Sequence, residues 1–149
     1  MWYDVAPRAA HIVVHTAEPP SDDEWAEYLE HAGRHIRDVR GILACSPTVG
    51  PNSHQRRVAT EHWDKLGITP TIAVLTRSKV TRGIVTALSW FMGTSVRAHA
   101  MSDFDGAARH LGLDDEQRRQ VQRLLERLAA DAGISRSEFD DAASGAQEP

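Results

Sequence analysis

Cysteine is nearly missing from this chain: Cys45 stands alone among 149 residues. One thiol excludes an intramolecular disulfide and every metal site built from several cysteines. Lysine is almost as scarce. Of 17 basic residues only Lys65 and Lys79 are lysine, a bias that, with the alanine content, reflects a high-G+C coding sequence more than arginine-specific recognition. No charge of one sign dominates, and a net charge of −4 gives no case for nucleic acid or an anionic membrane as a bulk electrostatic partner. No apolar run approaches the roughly 20 residues needed to span a bilayer. The opening Met1-Trp2-Tyr3-Asp4-Val5 has neither the basic lead nor the long apolar core of a signal peptide. The expectation is a soluble, cytoplasmic protein. The phosphate-cradling patterns Gly-x-Gly-x-x-Gly and Gly-x-x-x-x-Gly-Lys-Ser/Thr are absent, so no nucleotide or other cofactor is implied. No paired carboxylates, Ser-His-Asp order or metal triad emerges from the spacings, and the chain reads as non-catalytic.

What is present is a rhythm of strands and helices. Trp2 to Ala6, broken by Pro7, and His11-Ile12-Val13-Val14-His15-Thr16 read as two strands joined by a hairpin. Ser21-Asp22-Asp23-Glu24 has the Ser-x-x-Glu form of a capping box. Behind it Trp25, Tyr28, Leu29, Ala32 and Ile36 form one apolar helical stripe. Gly41 to Ser46 is a buried third strand stopped by Pro47. Asn52 or Ser53 then caps a second helix carrying Val58, Ala59, His62, Trp63 and Leu66, ended by Gly67. Pro70 to Met101 is the most informative stretch. A strand over Thr71–Thr76 meets Arg77-Ser78-Lys79, an apolar helix runs through Val80, Ile84, Val85, Leu88 and Phe91, and a fifth strand follows over Ser95–Met101. That is the strand-helix-strand unit of a parallel sheet. A short helix with Phe104, Ala107, Ala108 and Leu111, and a last one from Asp114 with Val121, Leu124, Leu125, Leu128 and Ala132, complete the order. The expected fold is α/β, β-β-α-β-α-β-α-β-α, with a mixed, mostly parallel sheet covered by helices and an extra carboxy-terminal helix over 114–132. Residues 1–136 form a single domain and 137–149 a flexible tail.

Several residues invite chemistry and are weighed against plain structural roles. His31 and His35, four apart on the first helix, have metal-pair spacing, but they fall at the border of the apolar stripe or in solvent, without a third ligand nearby in sequence. His11 and His15 share one strand face, which suits an edge strand better than a polar pocket. Cys45 and Ser46 end a strand, where ligand sites concentrate, and burial is the simpler account of the thiol. Arg77-Ser78-Lys79 at a helix start would suit an anion, or be an ordinary solvated loop. Trp25, Trp63 and Trp90 fall near apolar stripes and read as core, although Trp90 and Phe91 point about 100° apart, so one of them faces outward.

The order, together with Ile72-Ala73-Val74-Leu75, the helix Arg82-Gly83-Ile84-Val85-Thr86-Ala87-Leu88-Ser89-Trp90-Phe91 and the closing segment Arg97 to Leu111, resembles the STAS fold of anti-sigma factor antagonists and SpoIIAA-like (STAS/SEC14-type) proteins. The similarity spans about residues 1 to 112 and is topological more than motif-level. It implies a regulatory, signalling-type module of bacterial kind that binds another protein, with a homodimer through the last helix as one form of that contact. The family's Asp-Ser-(Ser/Thr)-Gly phosphorylation pattern is absent from Cys45 to His54, and Ser53 lies nearest the equivalent position. The binding surface so implied comprises Ser53, Arg56, Arg57, Arg77, Ser78 and Lys79. The alternative is a SEC14-like carrier of a small apolar ligand or lipid, with Trp63, Trp90 and Phe91 lining its cavity.

Overall fold

The computed structural model describes residues 1–47, 50–92 and 95–140, the side chains of 87–92 excepted. Two short strands open it. β1 (Trp2–Ala6) and β2 (Ala10–Val14) pair antiparallel, Trp2 opposite Val14 and Ala6 opposite Ala10. The turn between them is closed by the Ala9 N–H donating to the Ala6 carbonyl at 3.0 Å, with Arg8 in the left-handed region at φ 63°. α1 (Asp22–His35) begins with the expected capping box: Ser21 Oγ accepts from the Glu24 N–H, and the Glu24 carboxylate accepts from the Ser21 N–H. β3 (Ile42–Cys45), α2 (Ser53–Leu66), β4 (Ile72–Thr76), α3 (Lys79–Met92) and β5 (Val96–Ala100) follow in alternation. α4 (Phe104–His110), α5 (Asp115–Asp131) and α6 (Ser137–Asp140) close the chain.

The five strands lie in sequence order, β1-β2-β3-β4-β5, and every pair after the first is parallel. Crossovers of one hand in such a sheet carry the connecting helices to the same side. Alternation along each strand then sorts the side chains. Val13 and Ile42 face α1 and α2, where they pack with Trp25, Tyr28, Leu29, Ala32, Ile36 and Trp63. Ile12, Val14, Leu43, Cys45, Ala73 and Leu75 face the other way, against Ala107 of α4, Leu111 just after it, and Val121, Leu125 and Leu128 of α5. Burying each of those α5 side chains contributes roughly 1.5–3 kcal/mol, which fixes the helix across β1 and β2.

Several expectations change here. β2 is an interior strand flanked by β1 and β3, not an edge, so His11 and His15 are buried under α1 at 0% and 2% exposure. Most of the last helix's stripe, Val121, Leu125 and Leu128, is packed on the protein's own sheet, with Leu124 and Ala132 partly buried beside it. Ser53 is the first helical residue of α2, and the cap is Asn52, whose Oδ1 accepts from the Gln55 N–H at 2.8 Å. Residues 137–140 are helical, and Phe139 packs against the core, so the packed domain runs to Asp140 rather than ending at 136. On α3 the expected inward residues Val80 and Ile84 are instead 73% and 47% exposed. The side chains of Leu88, Trp90 and Phe91, and the whole tail after Asp140, lie outside what the structure describes.

Candidate functional site

The register that sets Val14 beside Cys45 and Cys45 beside Leu75 brings the next residues, His15, Ser46 and Thr76, into one row across three strands. Main-chain bonds carry the pairing to the row itself: the His15 N–H donates to the Cys45 carbonyl at 2.8 Å and the Ser46 N–H to the Leu75 carbonyl at 2.9 Å. All three are buried, at 2%, 5% and 0% exposure. They lie at the carboxyl ends of parallel strands, the edge at which open α/β sheets hold ligands. Taking polar groups out of water without a partner is costly, so a row of them at the end of an otherwise apolar sheet is unusual. Thr76 Oγ1 accepts from the Ser78 N–H at 3.2 Å. His15 Nδ1 has no hydrogen-bond partner among the described residues. Its pKa is lowered to about 4, first by burial and then by the positive amino terminus, so the ring is neutral near pH 7.

Gln55, at 2% exposure, ties this edge together. Its Nε2 donates to the Pro20 carbonyl at 2.8 Å and to Asp22 Oδ1 at 3.0 Å, and its Oε1 accepts from the Asn52 N–H at 3.1 Å. Trp25 Nε1 donates to the Gln55 carbonyl at 2.8 Å. One amide side chain thus latches the start of α1 to the start of α2. The sequence carried a signal for it, since Asn52-x-x-Gln55 is itself a capping-box pattern.

The residues expected to form the binding surface divide here. Ser53, Arg56 and Arg57 lie exposed on the first turn of α2. The Arg56 guanidinium donates to the Pro51 carbonyl at 2.8 Å, and Arg57 stands 3.2 Å from His54 Nδ1. On the neighbouring β4–α3 junction Ser78 is the α3 cap, its Oγ accepting from the Thr81 N–H at 3.1 Å. Arg77 pairs with Glu138 of α6 at 3.0 Å. Lys79 is exposed and has no ion pair among the described residues. Because β3 and β4 are adjacent and parallel, both junctions open on the same edge. Cys45 is fully buried with its Sγ 3.9 Å from Met101 Sδ. Burial, with Glu138 adding to it, pushes the thiol up to about 12, so it is inert at neutral pH.

A second cluster lies under α1, toward the other end of β2. His11 Nε2 is 2.8 Å from His31 Nδ1, one imidazole N–H donating to the other ring. Tyr3 and Tyr28 pack on His11, and His35 lies beside His31. The border placement expected of His31 and His35 fits their half-buried positions; their contact with a histidine 20 residues earlier was not foreseen. Among the described residues no three His, Cys, Asp or Glu side chains are grouped so as to hold a metal ion, and no helix is long and apolar enough to cross a membrane. Compared with known proteins, the chain matches no family model, no curated protein and no solved structure.

Proposed function

We propose that this chain is a non-catalytic, STAS-like regulatory module that binds another protein, in the cytoplasm, through the β3–α2 junction and the neighbouring β4–α3 junction. The observation that supports the reading is the shared edge. Exposed Arg56, Arg57 and Lys79 surround two junctions that a sequential parallel sheet sets side by side, and α3 continues them with solvent-exposed Val80 and Ile84. Exposed cations beside exposed apolar side chains suit a protein partner that presents acidic groups. Trp63 is 7% exposed and packed in the core between sheet and helices, which favours the interaction reading over a SEC14-like lipid carrier.

The test uses the tagged full-length chain, cross-linked to its partners in cell extract. Wild type is compared with Arg57→Glu, Lys79→Glu and Ser53→Asp, and with Arg109→Glu, at the opposite end of β4 on the last turn of α4, as a distant control. Loss of one captured protein with the first two variants, and not with the control, is the expected result. Ser53→Asp adds a carboxylate to the first turn of α2, which stabilises that helix by about 0.5 kcal/mol while changing capture. Identical capture by all variants would overturn the surface, and a co-purified small molecule in the native mass spectrum would favour the carrier.

A further inference from the structure

The opposite end of the molecule carries a groove that the proposed interaction surface does not use. It lies between the β1–β2 hairpin and the outer face of α5, with a volume of about 620 Å³, within the range of ligand-binding clefts. Arg8, Arg123 and Arg127 line it, with Leu124 and Pro7 as apolar floor, and Asp4 is the one carboxylate among the lining residues.

Three observations say what this groove is suited to hold. First, β1 is the outermost strand, so one side of it has no further strand to pair with, a template for an added strand. Second, Asp4 already displays the chemistry. Its Oδ1 accepts from the Val5 N–H of that strand at 2.8 Å and its Oδ2 accepts from the Arg127 guanidinium at 2.9 Å. A carboxylate is thus held between a main-chain donor of the outer strand and an arginine of α5, while Arg8 and Arg123 have no ion pair among the described residues. Third, Arg8 occupies the third position of a four-residue turn behind Pro7, with φ 63°. A positive φ there ordinarily goes to glycine, and Arg8 is the only non-glycine residue with one among the described residues. Its carbonyl is pinned by Gln117 Nε2 of α5 at 3.0 Å. The strain is maintained by the surrounding structure and sets a guanidinium at the rim where a simpler residue would fold better.

We infer that this groove binds an extended acidic peptide segment of a partner protein, which adds to the outer edge of β1 and places its carboxylates on Arg8, Arg123 and Arg127. Asp4 itself takes one of those carboxylate positions and competes with the segment. The site is separate from the β3–α2 surface, so its failure leaves that reading untouched.

The probe is a fluorescein-labelled peptide of about ten residues alternating Glu and Val, long enough for one strand, measured by anisotropy on the full chain at low ionic strength. A Gln/Val peptide of the same length is the control. The Glu peptide should bind at least about tenfold tighter than the Gln peptide, and should weaken steeply with salt. Arg8→Gly relieves the turn, so it should melt no lower than wild type and still lose affinity about fivefold or more. Asp4→Asn should tighten binding, because the resident competitor is gone. Hydrogen exchange at Tyr3 and Val5 should slow on binding. Equal affinity for the two peptides, Arg8→Gly binding as wild type does, or weaker binding by Asp4→Asn would each overturn the inference. Displacement of the peptide by citrate or inorganic phosphate at matched ionic strength, with no protection of β1, would reassign the groove to small anions.

Discussion

At the scale of single residues, two glycines make opposite predictions from the same substitution. Gly41 enters β3 so close to its neighbour that a Cβ would collide with the Thr71 carbonyl and press on Leu111 Cδ2 at 2.9 Å. Its own carbonyl accepts the His11 N–H at 3.0 Å, so the backbone has little freedom to yield. Gly41→Ala should cost about 1–3 kcal/mol. Gly83, on the exposed side of α3, has nothing within 4 Å of its would-be Cβ. Gly83→Ala should therefore stabilise by about 0.5–1 kcal/mol. Urea titration of both variants against wild type checks the pair, and a shift of the same sign in both would refute the packing account. Gln55→Ala removes donors and acceptors from a buried junction, and a loss of about 1–3 kcal/mol is expected. Little of this was legible beforehand. A glycine before a strand looks alike in sequence whether its neighbour is near or far, and a glutamine three residues after a cap announces its main-chain bond but not its reach to Pro20 and Asp22.

At the scale of elements, the hold of α1 on the sheet depends on pH. Beneath it His11 is lowered to about 3, by burial first and by His31 and His35 next, with Asp4 opposing, and His15 is lowered to about 4. The groups facing His11 are Tyr28, His31 and His35 of α1 and Tyr3 and Asp4 of β1; Arg34 adds to the positive surroundings of His31. Both folded-state values lie below the unfolded value of 6.5, so the unfolded chain binds more protons. Stability is full above pH 6.5 and is lost as pH falls toward 4 and then 3. Near pH 5 each histidine costs about 2 kcal/mol, a large part of a typical domain's total stability. Chemical denaturation between about pH 7 and pH 5 should show that slope, and His11→Phe should reduce it by about half, His15 keeping the rest; an unchanged slope in His11→Phe would remove His11 from the account. Caps and apolar stripes placed α1, α2 and α5 correctly from sequence, because those signals are local. The burial of His11 and His15 was missed because strand order, not strand composition, decides which strand is interior. α3 was misread as well: Val80 and Ile84 were read as part of its apolar stripe, and both are exposed.

At the scale of the whole molecule, the two ends of the chain depend on each other. Helix α5 begins only at Asp115, yet Ile12, Val14 and Leu43 share one core with its Val121, Leu125 and Leu128. A chain cut after Gly112 should therefore not fold cooperatively, and should bind a hydrophobic dye and lose its sharp thermal transition. A cooperative melt from the truncated chain would show that α5 is an accessory. The sequential order of the strands has a further consequence for how the protein is made. Each crossover can close on the strand just before it while the chain is still emerging from the ribosome, but the far face of β1 and β2 waits for a helix about 100 residues later. At ordinary synthesis rates that is on the order of 5–20 s, during which the first strands made stay uncovered on the side that α5 will close. For that interval the nascent hairpin is the segment most exposed to chaperones and to self-association.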